Sequence, residues 1–207
     1  YTNNLKEFML SFVVYSIKGG VGKTTLSVQI SQMLDYTYVT NDSHSSAHNL
    51  MPEEKGFLVS SEEYEEIPYD DRVVYDFGGF KDTRINDIIK KSNKVIIPTL
   101  TSIVDVQATL ATLKDVIEVN KNIIIVVNRT KNNNKSTELK EYLLEEIEKL
   151  YGKVNIPIIF VRDSSVLEDS LFDCEYVEIK AGNNRFKRHI YRNAIEDMID
   201  LRKTLEN

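Results

Sequence analysis

Cysteine is nearly absent from this chain: Cys174 is the only one among 207 residues. A single thiol can build neither an intrachain disulfide framework nor a cluster of thiolate ligands. Such usage fits a reducing compartment, so a cytoplasmic location is expected. The chain also lacks any apolar run long enough to span a bilayer, and its start does not read as a secretory leader. Internal repeats and a linker composition are missing too. The expectation is one domain over residues 9–207, with residues 1–8 an N-terminal extension or a cloning remnant. What is present, 42% apolar and 28% charged residues, suits a globular chain long enough to bury a core unaided.

A bulk excess of positive charge is a further absence. The formal charge of −6 argues against a surface coated in basic groups for nucleic acid, but net charge hides segregation. Residues 53–71 hold Glu53, Glu54, Glu62, Glu63, Glu65, Glu66, Asp70 and Asp71 against one lysine. Residues 180–192 hold Lys180, Arg185, Lys187, Arg188 and Arg192 with no acid.

Short apolar and β-branched runs alternate with stretches of helical period. Strands are expected at Leu10–Ile17, Tyr36–Thr40, Arg72–Asp76, Lys94–Pro98, Asn122–Asn128 and Ile156–Val161. Helices are expected at Thr24–Leu34, Thr83–Lys91, Val104–Val119, Thr137–Tyr151 and from near Arg185 to Leu205, with Gly152 as a helix stop. This rhythm predicts an α/β fold, a mainly parallel twisted sheet with helices on both faces. Ligands of such sheets sit beyond the carboxyl ends of the strands, so functional residues are expected there. Segment 43–71 has no clear period and is left open between loop, short helix and edge strand. The tract Thr130–Ser136, with Asn132, Asn133 and Asn134, reads as a surface loop.

Between the first strand and the first helix stands Lys18-Gly19-Gly20-Val21-Gly22-Lys23-Thr24-Thr25. A glycine-rich turn there exposes backbone N–H groups around an anion, and the helix N-terminus adds partial positive charge. Lys23 would reach the terminal phosphates and Thr24 would offer its hydroxyl to Mg²⁺. The site therefore reads as a P-loop for a nucleoside triphosphate. Ile17 stands where the usual pattern has glycine, and a second lysine, Lys18, opens the motif.

That arrangement resembles the deviant phosphate loop of the ParA/MinD family of P-loop ATPases, most closely its short partition members without an N-terminal helix-turn-helix domain. The resemblance runs over roughly residues 10 to 200 and is most specific at the phosphate loop. It implies an ATPase that uses ATP and Mg²⁺ and dimerises with ATP, Lys18 crossing to the partner's phosphates. A solvated loop lysine is the plain alternative for Lys18. Val73-Val74-Tyr75-Asp76-Phe77-Gly78-Gly79 looks like the family's Mg²⁺-site acid, Asp76, followed by its switch loop; a strand-end acid can also be a cap. Asp42 matches the second of two acids usual after the second strand, the one that positions attacking water. Thr40 replaces the first of those acids, and Ser43-His44 replaces Pro-Gln. Thr99 to Asp105 resembles a segment near the dimer face. Asn128 looks like the family position that reads an adenine edge, although strand-end asparagine is also turn chemistry.

His44 and His48 have the i,i+4 spacing of a helical metal pair, against which solvated loop histidines are the preferred reading. Arg185, Lys187, Arg188 and Arg192 are the candidate contacts to non-specific DNA; the alternative is a solvated helix face. The implied function is DNA segregation: a homodimer forms with ATP, binds DNA on the nucleoid and is released by slow hydrolysis stimulated by a centromere-binding partner protein. Two alternatives stand beside it, a MinD-like or other cargo-positioning ATPase and a small-molecule synthetase on the same scaffold. Membrane docking is disfavoured because Glu196–Asn207 mixes Asp197, Asp200 and Glu206 with Arg202 and Lys203 and has no bulky aromatic face. The nitrogenase iron protein branch is excluded for want of cysteines.

Overall fold

The computed structural model describes residues 10–52, 54–59, 69–78, 83–131 and 135–207. The apolar runs become strands β1 (Phe12–Tyr15), β2 (Thr37–Thr40), β3 (Gly56–Leu58), β4 (Val73–Phe77), β5 (Lys94–Thr99), β6 (Ile123–Thr130) and β7 (Ile158–Arg162). They pair in parallel throughout, in the order β3-β2-β4-β1-β5-β6-β7. From β1 the sheet extends one way through β4 and the other through β5, so a crevice opens at the carboxyl end of β1. The register sets Val14 level with Asp76, and Asp76 level with Thr40. The ends of β1, β4 and β2 therefore coincide.

The helices are α1 (Lys23–Leu34), α2 (Ala47–Leu50), α3 (Thr83–Lys91), α4 (Ile103–Ile117), α5 (Lys135–Tyr151), α6 (Ser165–Asp173), α7 (Val177–Ala181) and α8 (Arg185–Glu206). Strand side chains alternate between two cores. Phe12 and Val14 pack with Leu26 and Ile30 of α1 and Met198 and Leu201 of α8. Val13 faces the other side, where Ile85, Leu113 and Leu143 bring in α3, α4 and α5. Helices on both faces are thus as expected. Among the described residues no helix is long and apolar enough to cross a membrane.

Segment 43–71 resolves into α2 and β3 where it is described. Glu53, Glu62, Glu63, Glu65 and Glu66 lie outside the described residues, as do Gly79, the asparagines at 132–134 and the extension at 1–8. The expected strands and long helices form with shifts of a few residues at their ends. Absent from the sequence reading are α6 and α7. Buried Gln29 of α1 holds them: its Nε2 donates to Ser170 Oγ (2.9 Å) and Glu175 O (3.0 Å), and its Oε1 accepts from Val177 N (3.0 Å). Every polar arm of that amide has a partner, which is what makes a buried amide tolerable.

Helix α8 runs antiparallel to the strands. Near its far end Thr204 O accepts from Nζ of Lys94, the first residue of β5 (2.8 Å). Midway along α8, Arg162, the last residue of β7, meets Asn193, Glu196 and Asp197. Residues 185–192 consequently project past the carboxyl edge by about 12 Å, at 1.5 Å per residue. Asp197, read from sequence as one of several mixed surface charges, is buried. It accepts from Arg162 N at 2.7 Å and from the guanidinium at 2.6 Å and 3.0 Å. Asp197→Ala would strand the guanidinium and an N–H of β7. The expected cost is about 2–3 kcal/mol, below that of a fully buried pair because Glu196 and solvent reach Arg162. That corresponds to roughly 4–12 °C in melting midpoint, measurable by thermal denaturation followed by circular dichroism.

Candidate functional site

The glycine-rich turn lies at the crevice. Gly20 and Gly22 have φ of 75° and 89°, a left-handed backbone that a Cβ disfavours. Gly22 also serves a steric need, because a Cβ there would meet Asn128 Nδ2 at 2.7 Å. That amide nitrogen donates to Val21 O at 2.7 Å, so the buried Asn128 at the end of β6 clamps the turn onto the sheet. Thr25 and Asn128 border a second cavity beside the turn, shared with Asp163 and Ser164 after β7.

A cleft at the loop is lined by Gly19, Gly20, Lys23, Thr24, Asp42 and Asp76, with Gly22, Thr25 and Gly78 also on its wall. The Lys23 ammonium curls inside the loop, donating to Lys18 O at 3.1 Å. Burial pulls the Lys23 pKa down, against the attraction of Asp76 and Asp42. Burial likewise pushes the Asp76 carboxyl up, opposed by hydrogen bonds from Tyr38 and Thr24 and by the charge of Lys23. Ionising either group therefore carries a cost in the protein alone. A phosphate beside Lys23 and a cation beside Asp76 would offset it. The oxygen donors of Thr24 and Asp76 fit Mg²⁺, which takes few protein ligands and completes its shell with water and phosphate. The site residues thus suit a Mg²⁺-nucleotide.

Lys18 behaves differently from Lys23. Its ammonium turns away from the cleft and forms an ion pair with Asp105 at the start of α4. Asp105 also completes a capping box with Ser102, whose hydroxyl accepts from Asp105 N at 3.3 Å and donates to the carboxylate. Burial raises the Asp105 carboxyl, but the bonds from Lys18 and Ser102 outweigh it and hold it below the usual range.

Beyond β2, Thr40 is fully buried and its hydroxyl accepts from Asp42 N at 3.1 Å. The position that sequence comparison would give to an acid therefore shapes a turn here. Asp42 borders the cleft, and its Oδ1 accepts from His44 N at 3.0 Å. His44 and His48 do not share a helix: α2 begins only at Ala47, and His44 lies in the exposed turn before it. Among the described residues no three metal-ligating side chains gather.

Two residues passed over in the sequence complete the site. Asn41 Oδ1 accepts from Gly78 N at 2.9 Å, tying the turn after β4 to the turn after β2. Tyr38, fully buried in β2, donates to Asp76 Oδ2 at 2.7 Å. Burial and the neighbouring carboxylate both raise its phenol pKa, keeping it a donor. Nothing in an apolar strand pattern marks either contact.

The basic run is on the surface, and the structure corrects its charge. Arg185 and Lys187 have no acidic partner among the described residues. Arg188 donates to Gly182 O at 2.6 Å and lies 3.8 Å from Glu178, while Arg192 lies 3.9 Å from Glu196. Lys180 pairs with Asp173. A stretch without acids in sequence thus acquires acids in space. Its cations also crowd the first turn of α8, where no acid sits and the helix dipole disfavours positive charge. Fold stability does not account for that placement.

The Tyr38–Asp76 bond is testable without any ligand. Tyr38→Phe leaves a buried carboxylate oxygen without its donor, whereas Asp76→Asn removes the charge that needs it. A double-mutant cycle in urea should give a coupling of about 1–2 kcal/mol; a coupling near zero would show that the bond is not formed.

The CobQ/CobB/MinD/ParA nucleotide binding domain matches residues 12–171. No curated protein matches in sequence. Among solved structures the chain is similar to MinD from Pyrococcus horikoshii OT3 complexed with Mg-ADP, with TM-score 0.61 and 14% identity over 93% of this chain and 95% of that one. It is similar to a ParA family ATPase from Chlorobium tepidum TLS, with TM-score 0.55 and 17% identity over 91% and 98%. A protein assigned to plasmid partition in Borrelia burgdorferi B31, bound to AMPPNP, gives TM-score 0.59 and 15% identity over 92% and 98%. At such identities these structures speak for the fold, and the family match for the rest: the chain belongs to the CobQ/CobB/MinD/ParA nucleotide-binding family of P-loop ATPases.

Proposed function

We propose that the protein is a partition ATPase: it dimerises on ATP, binds DNA without sequence preference, and is released by slow hydrolysis stimulated by a centromere-binding partner. It would be cytoplasmic, and held on the nucleoid while ATP is bound. The observation that carries this reading is the divergence of the two loop lysines. Lys23 lies within its own phosphate loop, while Lys18 points out of it toward Asp105. A lysine so placed suits contact with phosphates held by a second copy.

In this scheme Lys23 and the backbone N–H groups of residues 19–22 bind the terminal phosphates, with Thr25 beside them. Thr24 and Asp76 hold Mg²⁺, which supplies charge neutralisation on the phosphates. Asp42, at the cleft wall, orients the attacking water. One N–H of the Asn128 amide is taken by Val21 O, so its carbonyl oxygen and second N–H are left to read an adenine edge. Arg185, Lys187, Arg188 and Arg192 contact DNA phosphates, on the same edge of the sheet as the nucleotide. Joining two such patches in a dimer makes the second contact intramolecular, so ATP controls DNA binding through avidity.

A cargo-positioning role on an anionic membrane surface is the second reading. One observation favours it: Phe186 and Ile190 are 73% and 52% exposed among the cations of α8. The C-terminal end of that helix cannot serve, since Leu201 and Leu205 are fully buried.

Lys23→Ala should abolish ATP binding. Lys18→Ala should bind ATP normally yet fail to dimerise in it, as read by light scattering; an unchanged dimer would refute the role of Lys18. In sedimentation with plasmid DNA, wild type should pellet in ATP and stay in solution in ADP, and binding should fall steeply with salt. The triple change Arg185→Ala, Lys187→Ala and Arg188→Ala should lose DNA while keeping ATP and the dimer. Pelleting with anionic liposomes in place of DNA would favour the second reading.

A further inference from the structure

Strand β6 carries one residue too many for its neighbour. Val127 is level with Phe160 and Thr130 with Arg162, so three steps on β6 match two on β7. The bulge falls at Asn128-Arg129, and Arg129 takes a left-handed φ of 54°. Few residues with a Cβ adopt that conformation, and bulges beside active sites often re-aim a side chain. Here the bulge turns two flanking side chains inward: Asn128 onto Val21 O and Thr130 Oγ1 onto Val161 O at 3.2 Å. Arg129 alone is turned outward, where it borders both the phosphate cleft and the adjoining cavity lined by Gly22 and Asn128.

What Arg129 touches there does not explain the distortion. Its guanidinium meets Glu168 of α6 at 2.8 Å, with the two side chains 54% and 55% exposed. Solvated ion pairs of this kind contribute little to stability. Strained backbone persists where surroundings impose it, and it collects at ligand sites. A long, permanently charged side chain over the junction of two ligand cavities is suited to an anion, and Arg binds phosphate in forked geometry.

We infer that Arg129 is a nucleotide-contacting residue, its guanidinium exchanging Glu168 for a phosphate of the nucleotide held in the loop. The inference rests on the phosphate-loop reading and adds a residue to it. Glu168 is then an internal competitor that holds the side chain near its working position until the nucleotide arrives.

The test is equilibrium binding of ATP, ADP and adenosine, with melting temperature as the control for folding. Arg129→Ala should weaken ATP and ADP alike by about tenfold or more, as expected for a charged hydrogen bond. Arg129→Lys should recover part of the loss. Glu168→Gln should bind ATP at least as tightly as wild type, because the competitor is gone. Wild-type affinity in Arg129→Ala would overturn the inference. So would an equal loss in Glu168→Gln, which would make the pair a strut between β6 and α6. A loss for adenosine as large as that for ATP would overturn the assignment to phosphate. Retention of ATP by Lys23→Ala would instead defeat the phosphate-loop reading, so the two failures are distinguishable.

Discussion

Ionisation of Lys23 and of Asp76 is opposed by burial, and much of the site is organised around that constraint. Neighbours favour the charged forms: Tyr38 and Thr24 donate toward Asp76, and Lys23 finds Lys18 O. A buried charge whose partners only partly meet its demand binds a counter-charge strongly, because the desolvation cost has already been met in folding. Phosphate and Mg²⁺ have the charges and the donor preferences to do so.

The surrounding backbone is held to the same end. Asn128 fastens the glycine turn from the β6 side, and Asn41 fastens the turn after β4 to that after β2. The parallel register makes the second contact possible by setting the ends of β2 and β4 level. The glycine turn and the turn after β4 are each held by a single side-chain hydrogen bond.

The outer surface shows a different economy. Cations gather at the N-terminus of α8 against the helix dipole, and bulky Phe186 and Ile190 stand exposed among them. The apolar stripe that buries Ala194, Met198, Leu201 and Leu205 runs past the end of the sheet, and Ile190 is its continuation. Both features arise because α8 is longer than the strands it covers. The projecting turns lie on the same edge of the sheet as the phosphate loop.

The sequence alone determined the α/β alternation, the parallel sheet and the phosphate loop, because each is written in contiguous residues. A buried strand needs an unbroken apolar run such as Val73-Val74-Tyr75, and a phosphate cradle needs its glycines beside its lysine. The five-residue α7 has too few positions to show a period, and the signal for α6 is carried by a buried Ser170 as much as by leucine. Only the tertiary structure decided what the polar groups meet. Tyr38 reads as another strand residue until β4 brings Asp76 beside it. Asp197 reads as surface charge until Arg162 arrives from β7, and Lys180 as unpaired until Asp173 does. Arg129 owes its outward aim to a bulge defined by pairing with β7 rather than by its own neighbours in sequence. Periodicity records which side of an element is buried; the identity of the partner depends on chain folding at long range, where hydrogen bonds and ion pairs are made between residues that no local pattern connects.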